Sequence, residues 1–309
     1  MDKKILLAVD GSIHSTNAVK YAARISAIVS DLTYTLFHVQ PTLSQYLLDE
    51  ADTDLKARAE LKKIIQKNTD LAQEVLEKHK AKMVRMGISE ERIETATQKK
   101  IMGICKDILD CAQKGLFDAI VVGRRGLSRI QETLMGSITT KLVEHSRVVP
   151  LWVVDGDVTS MKLLLAVDGS EASLRAVDHL CFMVGGNEEI KFTLFHVRQK
   201  FGDYCPVNFD EKEGSVAQVI DRGEKRCIDR FHALALDKFK EAGINEDQVE
   251  VNVTKGTMDA GKAIVNQAKK EKYGTVVVGR SGTNKAFFMG SVSRHVLNKA
   301  SDRAVWLVS

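Results

Sequence analysis

The chain has 309 residues, 44% of them hydrophobic and 28% charged, with 45 Lys and Arg against 41 Asp and Glu for a formal net charge of +4. That length suits about two domains of 100–200 residues, and the composition is that of an ordinary globular protein. So small and evenly spread a charge argues against nucleic acid or an anionic membrane as partner, and three prolines argue against an all-β or disordered chain.

The opening MDKKILLAVDGS has too short an apolar run for a signal peptide, and no run anywhere approaches the ~18 apolar residues of a membrane span. The expected location is therefore cytoplasmic. The first strand is read over 4–9 and a helix over 15–30, followed by a second strand over 34–39. A long amphipathic segment over 52–86 carries Leu55, Leu61, Ile64, Ile65, Leu71, Ala72, Val75, Leu76 and Met83 at helical intervals. It predicts a solvated helix, or a helix pair, covering a sheet. A third strand falls over 92–97, a helix over 101–114, a fourth strand over 119–122, a helix over 137–146 and a last strand over 148–154.

The chain then repeats itself. KILLAVDGS at 4–12 returns as KLLLAVDGS at 162–170, TLFHV at 35–39 returns at 193–197, and MGS at 135–137 returns at 289–291. The second set of strands is read over 162–167, 191–197, 249–254, 275–278 and 304–308. The junction is the polar DGDVTS at 155–160, so the expected domains are 1–155 and 161–309. Unbroken apolar strands alternating with helices predict two tandem α/β domains, each a doubly wound, five-stranded parallel sheet with helices on both faces. Ligands of such sheets sit beyond the carboxyl ends of the strands, where strand order reverses. Asp10, Val39 and Gly123 close strands one, two and four, which puts all three on one rim.

After strand four comes GRRGLSRIQETLMGS, with Gly123, Gly126 and the pair Gly136–Ser137 at a helix start. Glycines let a backbone approach a bulky anion, and the free N–H groups of a helix start, helped by a hydroxyl, can hold phosphate oxygens. Arg124 and Arg125 add positive charge, although adjacent side chains on a loop rarely face one way. The spacing is neither a P-loop nor a G-x-G-x-x-G fingerprint. By itself it fits phosphate binding or a plain crossover turn equally well.

With AVDGS at 8–12 and 166–170, HV closing the second strand of each half, and this glycine loop, the chain resembles the universal stress protein family over essentially its whole length, as two copies. The resemblance implies a Rossmann-like fold that binds ATP, or ADP or AMP, with Mg²⁺ as an accompanying ion. It implies that Asp10 meets the ribose, that the backbone at Val39 meets the adenine, and that Gly123, Arg124, Gly126, Gly136 and Ser137 hold the phosphates. The counterparts are Asp168, Val197, Gly279, Gly282, Gly290 and Ser291. There the loop is two residues shorter, which favours the first half for phosphates. The first half departs elsewhere: it has Gln98–Lys99–Lys100 where the second has Lys255–Gly256–Thr257–Met258–Asp259, similar to the family's glycine–aspartate turn. The family's last strand pairs subunits, so the strands at 148–154 and 304–308 imply an internal pseudo-dimer of the two halves, with a homo-dimer as further assembly.

Other readings stay beside these. Asp10 and Asp168 suit either a phosphate-bound Mg²⁺ or a helix N-cap or turn former. His38 and His196 read as histidines satisfied by a neighbouring carbonyl, and no histidine spacing suggests a metal site. The five cysteines lack any C-x-x-C and read as reduced, mostly buried thiols. No general base stands out, so no catalytic residue is assigned and hydrolysis should be slow at most. A stress-response binding module is the leading expectation. Its rivals are a nucleotide-free adaptor acting through assembly and, more weakly, a slow ATP-hydrolysing enzyme; the H-x-G-H and S-G-G-x-D-S elements of related α/β enzymes are missing.

Overall fold

The computed structural model describes residues 2–127, 135–199, 214–257, 259–281 and 289–309. The chain divides into two compact units, the first comprising Met1–Arg24 and Asp31–Val154, the second Ile25–Ser30 and Asp155–Ser309. The first runs β1 (Lys3–Ala8), α1 (Ile13–Ile25), β2 (Leu32–Gln40), α2 (Gln45–Thr53), α3 (Leu55–Arg85), β3 (Ile93–Lys99), α4 (Ile104–Lys114), β4 (Ala119–Gly123), α5 (Ser137–His145) and β5 (Leu151–Val154). Its strands are all parallel, in the order β3-β2-β1-β4-β5. Chain order reverses between β1 and β4, and the crevice that this leaves opens at their carboxyl ends.

The second unit runs β6 (Leu163–Val167), α6 (Glu171–Val184), β7 (Phe192–Gln199), α7 (Gly214–Glu241), β8 (Val249–Thr257), α8 (Ala260–Lys270), β9 (Thr275–Gly279), α9 (Ser291–Lys299) and β10 (Ala304–Val308). Its order, β8-β7-β6-β9-β10, is the same topology. The doubly wound α/β reading therefore holds in both halves.

The central strands are legible as apolar runs because both faces are covered. Ile5, Leu6 and Leu7 of β1, and Ala119, Ile120 and Val121 of β4, are all fully buried. Trp152 of β5 meets the edge of Tyr21 of α1, with ring centroids 6.4 Å apart.

The amphipathic segment is essentially the single helix α3, preceded by the unpredicted α2 and separated from it at Asp54, whose carboxylate accepts the Lys56 N–H at 2.8 Å and caps α3. The buried stripe of α3 is Leu61, Ala72, Leu76, His79 and Met83. Leu55, Ile64 and Leu71 are exposed instead, so the apolar face is narrower than the sequence suggests. The cysteine reading needs a similar correction. Cys105 and Cys181 are buried, and burial pushes the Cys181 thiol up to about 12, but Cys227 on α7 is exposed. Cys205 lies outside the described residues.

His179 of α6 sits wholly inside the second unit, edge-on to Trp306 at 5.7 Å, and burial pushes its pKa down to about 3. The unfolded chain protonates this ring near its ordinary value of 6.5, whereas the folded chain does not until about 3. Stability is therefore intact above pH 6.5 and falls as pH drops from there, by about 1.4 kcal/mol per unit for this group. Urea melts from pH 7 to pH 4 should show a shallower acid limb for His179→Leu than for the wild type, by about that slope. Parallel limbs would exclude the assignment.

Candidate functional site

The register of the first sheet aligns Ala8 of β1 with Phe37 of β2 on one side and with Val122 of β4 on the other. These three residues floor a cavity of about 490 Å³, a size usual for small-molecule sites. The residues one or two steps further on form its rim: Asp10, His38, Val39 and Gly123. Its remaining walls bring in Gly126, Leu127, Gly136, Ser137 and Thr139 from the loop and the first turn of α5, and Pro41, Lys100, Ile104 and Ile108 from the other side. The apolar residues offer a slot for a flat ring, and the polar groups gather toward β4.

Each rim residue is placed for a local reason. Asp10 ends β1 in a tight turn where its Oδ1 accepts the Ser12 N–H at 3.0 Å. The helix cap is Ser12, whose Oγ accepts the Ser15 N–H at 3.1 Å. Asp10 is therefore no N-cap, and its Oδ2 faces the loop at Gly126.

Val39 presents backbone to the crevice. Phe37 O accepts the Val9 N–H on the β1 side, while His38 O and Gln40 O accept from Thr97 Oγ1 and the Lys100 N–H on the β3 side. Backbone groups alternate in direction along a strand, so the N–H and C=O of Val39 point to the β1 side, beyond the end of β1. His38 follows the sequence reading: its Nδ1 lies 2.8 Å from Val9 O, so it donates to that carbonyl.

The glycines do two separate jobs. A Cβ on Gly123 would stand 2.7 Å from the backbone C and O of His14, so this glycine lets α1 approach the end of β4. A Cβ on Gly126 would stand 2.7 Å from Asp10 Oδ2, so that glycine clears the carboxylate. Gly136 caps α5 with no side-chain hydrogen bond, which leaves the N–H groups of the first turn, starting at Ser137, directed at the cavity wall they line.

Of the two arginines it is Arg125, not Arg124, that lines the cavity. Arg124 is 4% exposed; its N–H donates to Val154 O at 2.8 Å and its carbonyl accepts the Gly136 N–H at 2.9 Å. Its backbone is tied on both sides and its side chain is buried, so of the pair only Arg125 stands on the cavity wall. Lys100, which departs from the glycine–aspartate turn, is a second cation on the wall. In place of that turn, the buried Asp107 carboxylate accepts the N–H groups of Ile101 and Met102, both at 2.9 Å.

Sequence reasoning passed over His79. Its ring, 2% exposed on α3, brings Nε2 to 3.1 Å from Asp10 O and 3.4 Å from Ser15 Oγ. Burial lowers its pKa, against the hydrogen bond to the Asp10 backbone, which raises it. The available signal was a lone polar residue inside the stripe Ala72, Leu76, Met83.

In the second unit Asp168, Val197, Gly279, Gly290 and Ser291 occupy the corresponding carboxyl edge, and Gly282 lies outside the described residues. A Cβ on Gly279 would meet Ala172 C and O at 2.7 Å, repeating the close approach at Gly123. The Gly290 N–H donates to Arg280 O at 2.9 Å, so the shorter loop is pinned at its ends by the same bond as the longer one. Ser170 is the cap of α6, and Asp168 again forms the turn before it. Among the described residues no three His, Cys, Asp or Glu side chains gather as a metal site, and no helix is long and apolar enough to cross a membrane.

The model of the Universal stress protein family matches residues 1–155 and again 160–308. A universal stress protein of Mycolicibacterium smegmatis is similar at 26% identity over 310 residues, covering 96% of this chain and 94% of that protein. The crystal structure of a universal stress protein from Archaeoglobus fulgidus superposes with a TM-score of 0.64 at 20% identity, covering 99% of this chain and 98% of that one. A protein of unknown function from Pseudomonas aeruginosa superposes with a TM-score of 0.58 at 15% identity, over 99% and 92%. At those identities the two structures bear on the fold alone.

Two of the cavity glycines, Gly123 and Gly126, separate by experiment. Gly123→Ala forces backbone against backbone and should cost about 1–3 kcal/mol in urea unfolding. Gly126→Ala meets only the end of a side chain and should cost under about 0.5 kcal/mol while displacing the Asp10 carboxylate. Equal costs for the two would contradict the packing described.

Proposed function

Because this chain belongs to the universal stress protein family in both of its halves, we propose that it is a stress-response binding module whose first half takes ATP or a related adenine nucleotide. The observation that carries this reading is the one cavity shared by Asp10, Val39, Gly123, Gly126, Gly136 and Ser137. In it a flat base lies between apolar walls against the outward backbone of Val39. The ribose hydroxyls donate to Asp10, since a carboxylate accepts and a hydroxyl can give. The phosphates meet the first-turn N–H groups of α5, the Ser137 hydroxyl and Arg125, with Gly123, Gly126 and Gly136 keeping side chains out of their way. Arg124 supports the loop from behind.

Mg²⁺ would be brought by the phosphates, with Asp10 the nearest carboxylate on the cavity wall. Among the described residues of that wall none is arranged as a base for water, and the role proposed is binding with a conformational or assembly consequence, in the cytoplasm. Asp168, Val197, Gly279, Gly282, Gly290 and Ser291 form the second and weaker candidate. Pairing of the two halves through their closing strands, and a homo-dimer beyond it, belong to the same proposal and rest on the sequence.

Freshly purified protein, heat-denatured and pelleted, should release ATP, ADP or AMP into the supernatant at about one equivalent by liquid chromatography with mass detection. Calorimetry with added ATP–Mg²⁺ should give micromolar affinity in the wild type and none in Gly136→Val, whose side chain would crowd Arg125 Cα, already 3.1 Å from a modest Cβ. Two equivalents would bring in the second half. No carried nucleotide and no binding would turn the reading to an adaptor that works by assembly alone.

A further inference from the structure

The two units make the same turn after their first strands but wire it differently. α3 and α7 end alike: Ile88 N–H donates to Met83 O at 3.1 Å and Ile244 N–H to Phe239 O at 2.8 Å, each after a glycine of positive φ, Gly87 at 94° and Gly243 at 72°. Counting back from these matched ends, by four residues from Met83 and from Phe239, sets His79 opposite Ala235. One half has a buried donor over the turn, and at the matched helix position the other has a buried methyl group.

The serine at the start of the first helix responds to that difference. In the first unit Ser15 Oγ donates to the Asp10 carbonyl and stands 3.1 Å from Ser12 O, next to the His79 ring. Asp10 O accepts only, so His79 donates to it through Nε2–H. Among the described residues the Asp10 carboxylate then holds a single bond, from the Ser12 N–H to Oδ1. In the second unit the equivalent Ser173 takes the opposite orientation. Its Oγ donates to Asp168 Oδ1 at 2.6 Å and accepts the Asp168 N–H at 3.0 Å, while the Ser170 N–H bonds the same oxygen at 3.0 Å. There the carboxylate is engaged by its own turn.

We infer that His79 is the positioning residue of the first-half site: its N–H holds the Asp10 carbonyl with Ser15 turned to the backbone, leaving the Asp10 carboxylate to a ligand's hydroxyls. Ala235 leaves the second half without this device, so its aspartate is spent on Ser173. The inference rests on the reading that Asp10 meets a ribose. It deepens that reading by naming what decides which half is competent. Burial of the ring lowers its pKa, in keeping with this role, since a neutral imidazole with its hydrogen on Nε2 makes the bond without carrying a charge into the core.

The test is calorimetry on the full chain with ATP–Mg²⁺ and with 2′,3′-dideoxy-ATP–Mg²⁺, which lacks the hydroxyls that Asp10 would accept. His79→Ala should weaken ATP about tenfold or more and dideoxy-ATP by less than about twofold, the difference being one charge-assisted hydrogen-bond set. His79→Gln, which restores an N–H donor, should recover most of the ATP affinity. In an Asp10→Ala background His79→Ala should change nothing further. If His79→Ala does not fold, His79→Leu fills the same space without a donor and takes its place throughout.

Equal losses for the two nucleotides, or losses additive with Asp10→Ala, would overturn the inference while leaving nucleotide binding in place. Wild-type protein that binds neither nucleotide would overturn the functional reading, and this inference with it.

Discussion

The first unit's carboxyl edge depends on how closely α1 approaches the end of β4. At Gly123 the backbone of His14 stands where a Cβ would be, 2.7 Å away, and the second unit repeats the arrangement between Gly279 and Ala172. That approach fixes where α1 begins, and so fixes the turn that carries Asp10. It also sets the direction in which the chain leaves β4. Thr139 and Ser293 then tie their helices to the strand ends by donating to Gly123 O and Gly279 O, at 2.9 and 2.8 Å. A glycine that looks like a ligand contact in the sequence is first a packing residue, and the crevice beside it follows from the packing.

Much of this was legible beforehand because the signals are local. Strands buried on both faces read as apolar runs, and the duplication gave each one a second witness. Glycines beside a strand end and a Gly–Ser pair before a helix marked the cavity wall. Other features were hidden because they are set by distant parts of the chain. α2 has one buried residue, Ala51, and so left no apolar period to read. Which arginine faces the cavity depends on backbone bonds from Arg124 to Val154 and Gly136, not on anything at Arg124 itself. His79 meets Asp10 across 69 residues of sequence, and no local pattern reports that meeting.

The comparison between halves separates scaffold from site. The pinned loop ends, the helix caps Ser12 and Ser170, and the close approaches at Gly123 and Gly279 are common to both units. What differs lies on the cavity wall or just behind it: Lys100 against Gly256, Gly103 against the helix-capping Asp259, and His79 against Ala235. Duplication followed by drift would leave this pattern, since changes to the frame unfold a unit whereas changes to the lining only alter what it holds.

The 31 residues of α3 add a mechanical consequence. At 1.5 Å per residue the helix extends roughly 36 Å from His79 back to Leu55, as a single stiff rod. Its buried side chains concentrate between Ala72 and Met83, around the histidine that touches the cavity turn, with Leu61 alone buried earlier. It is thus clamped near one end and sparsely held along the rest. A tilt of about 5° at the clamp displaces the far end by about 3 Å, from the same rise per residue. A tilt this small at the histidine end of α3 would thus move its far end several times further than the atoms beside Asp10.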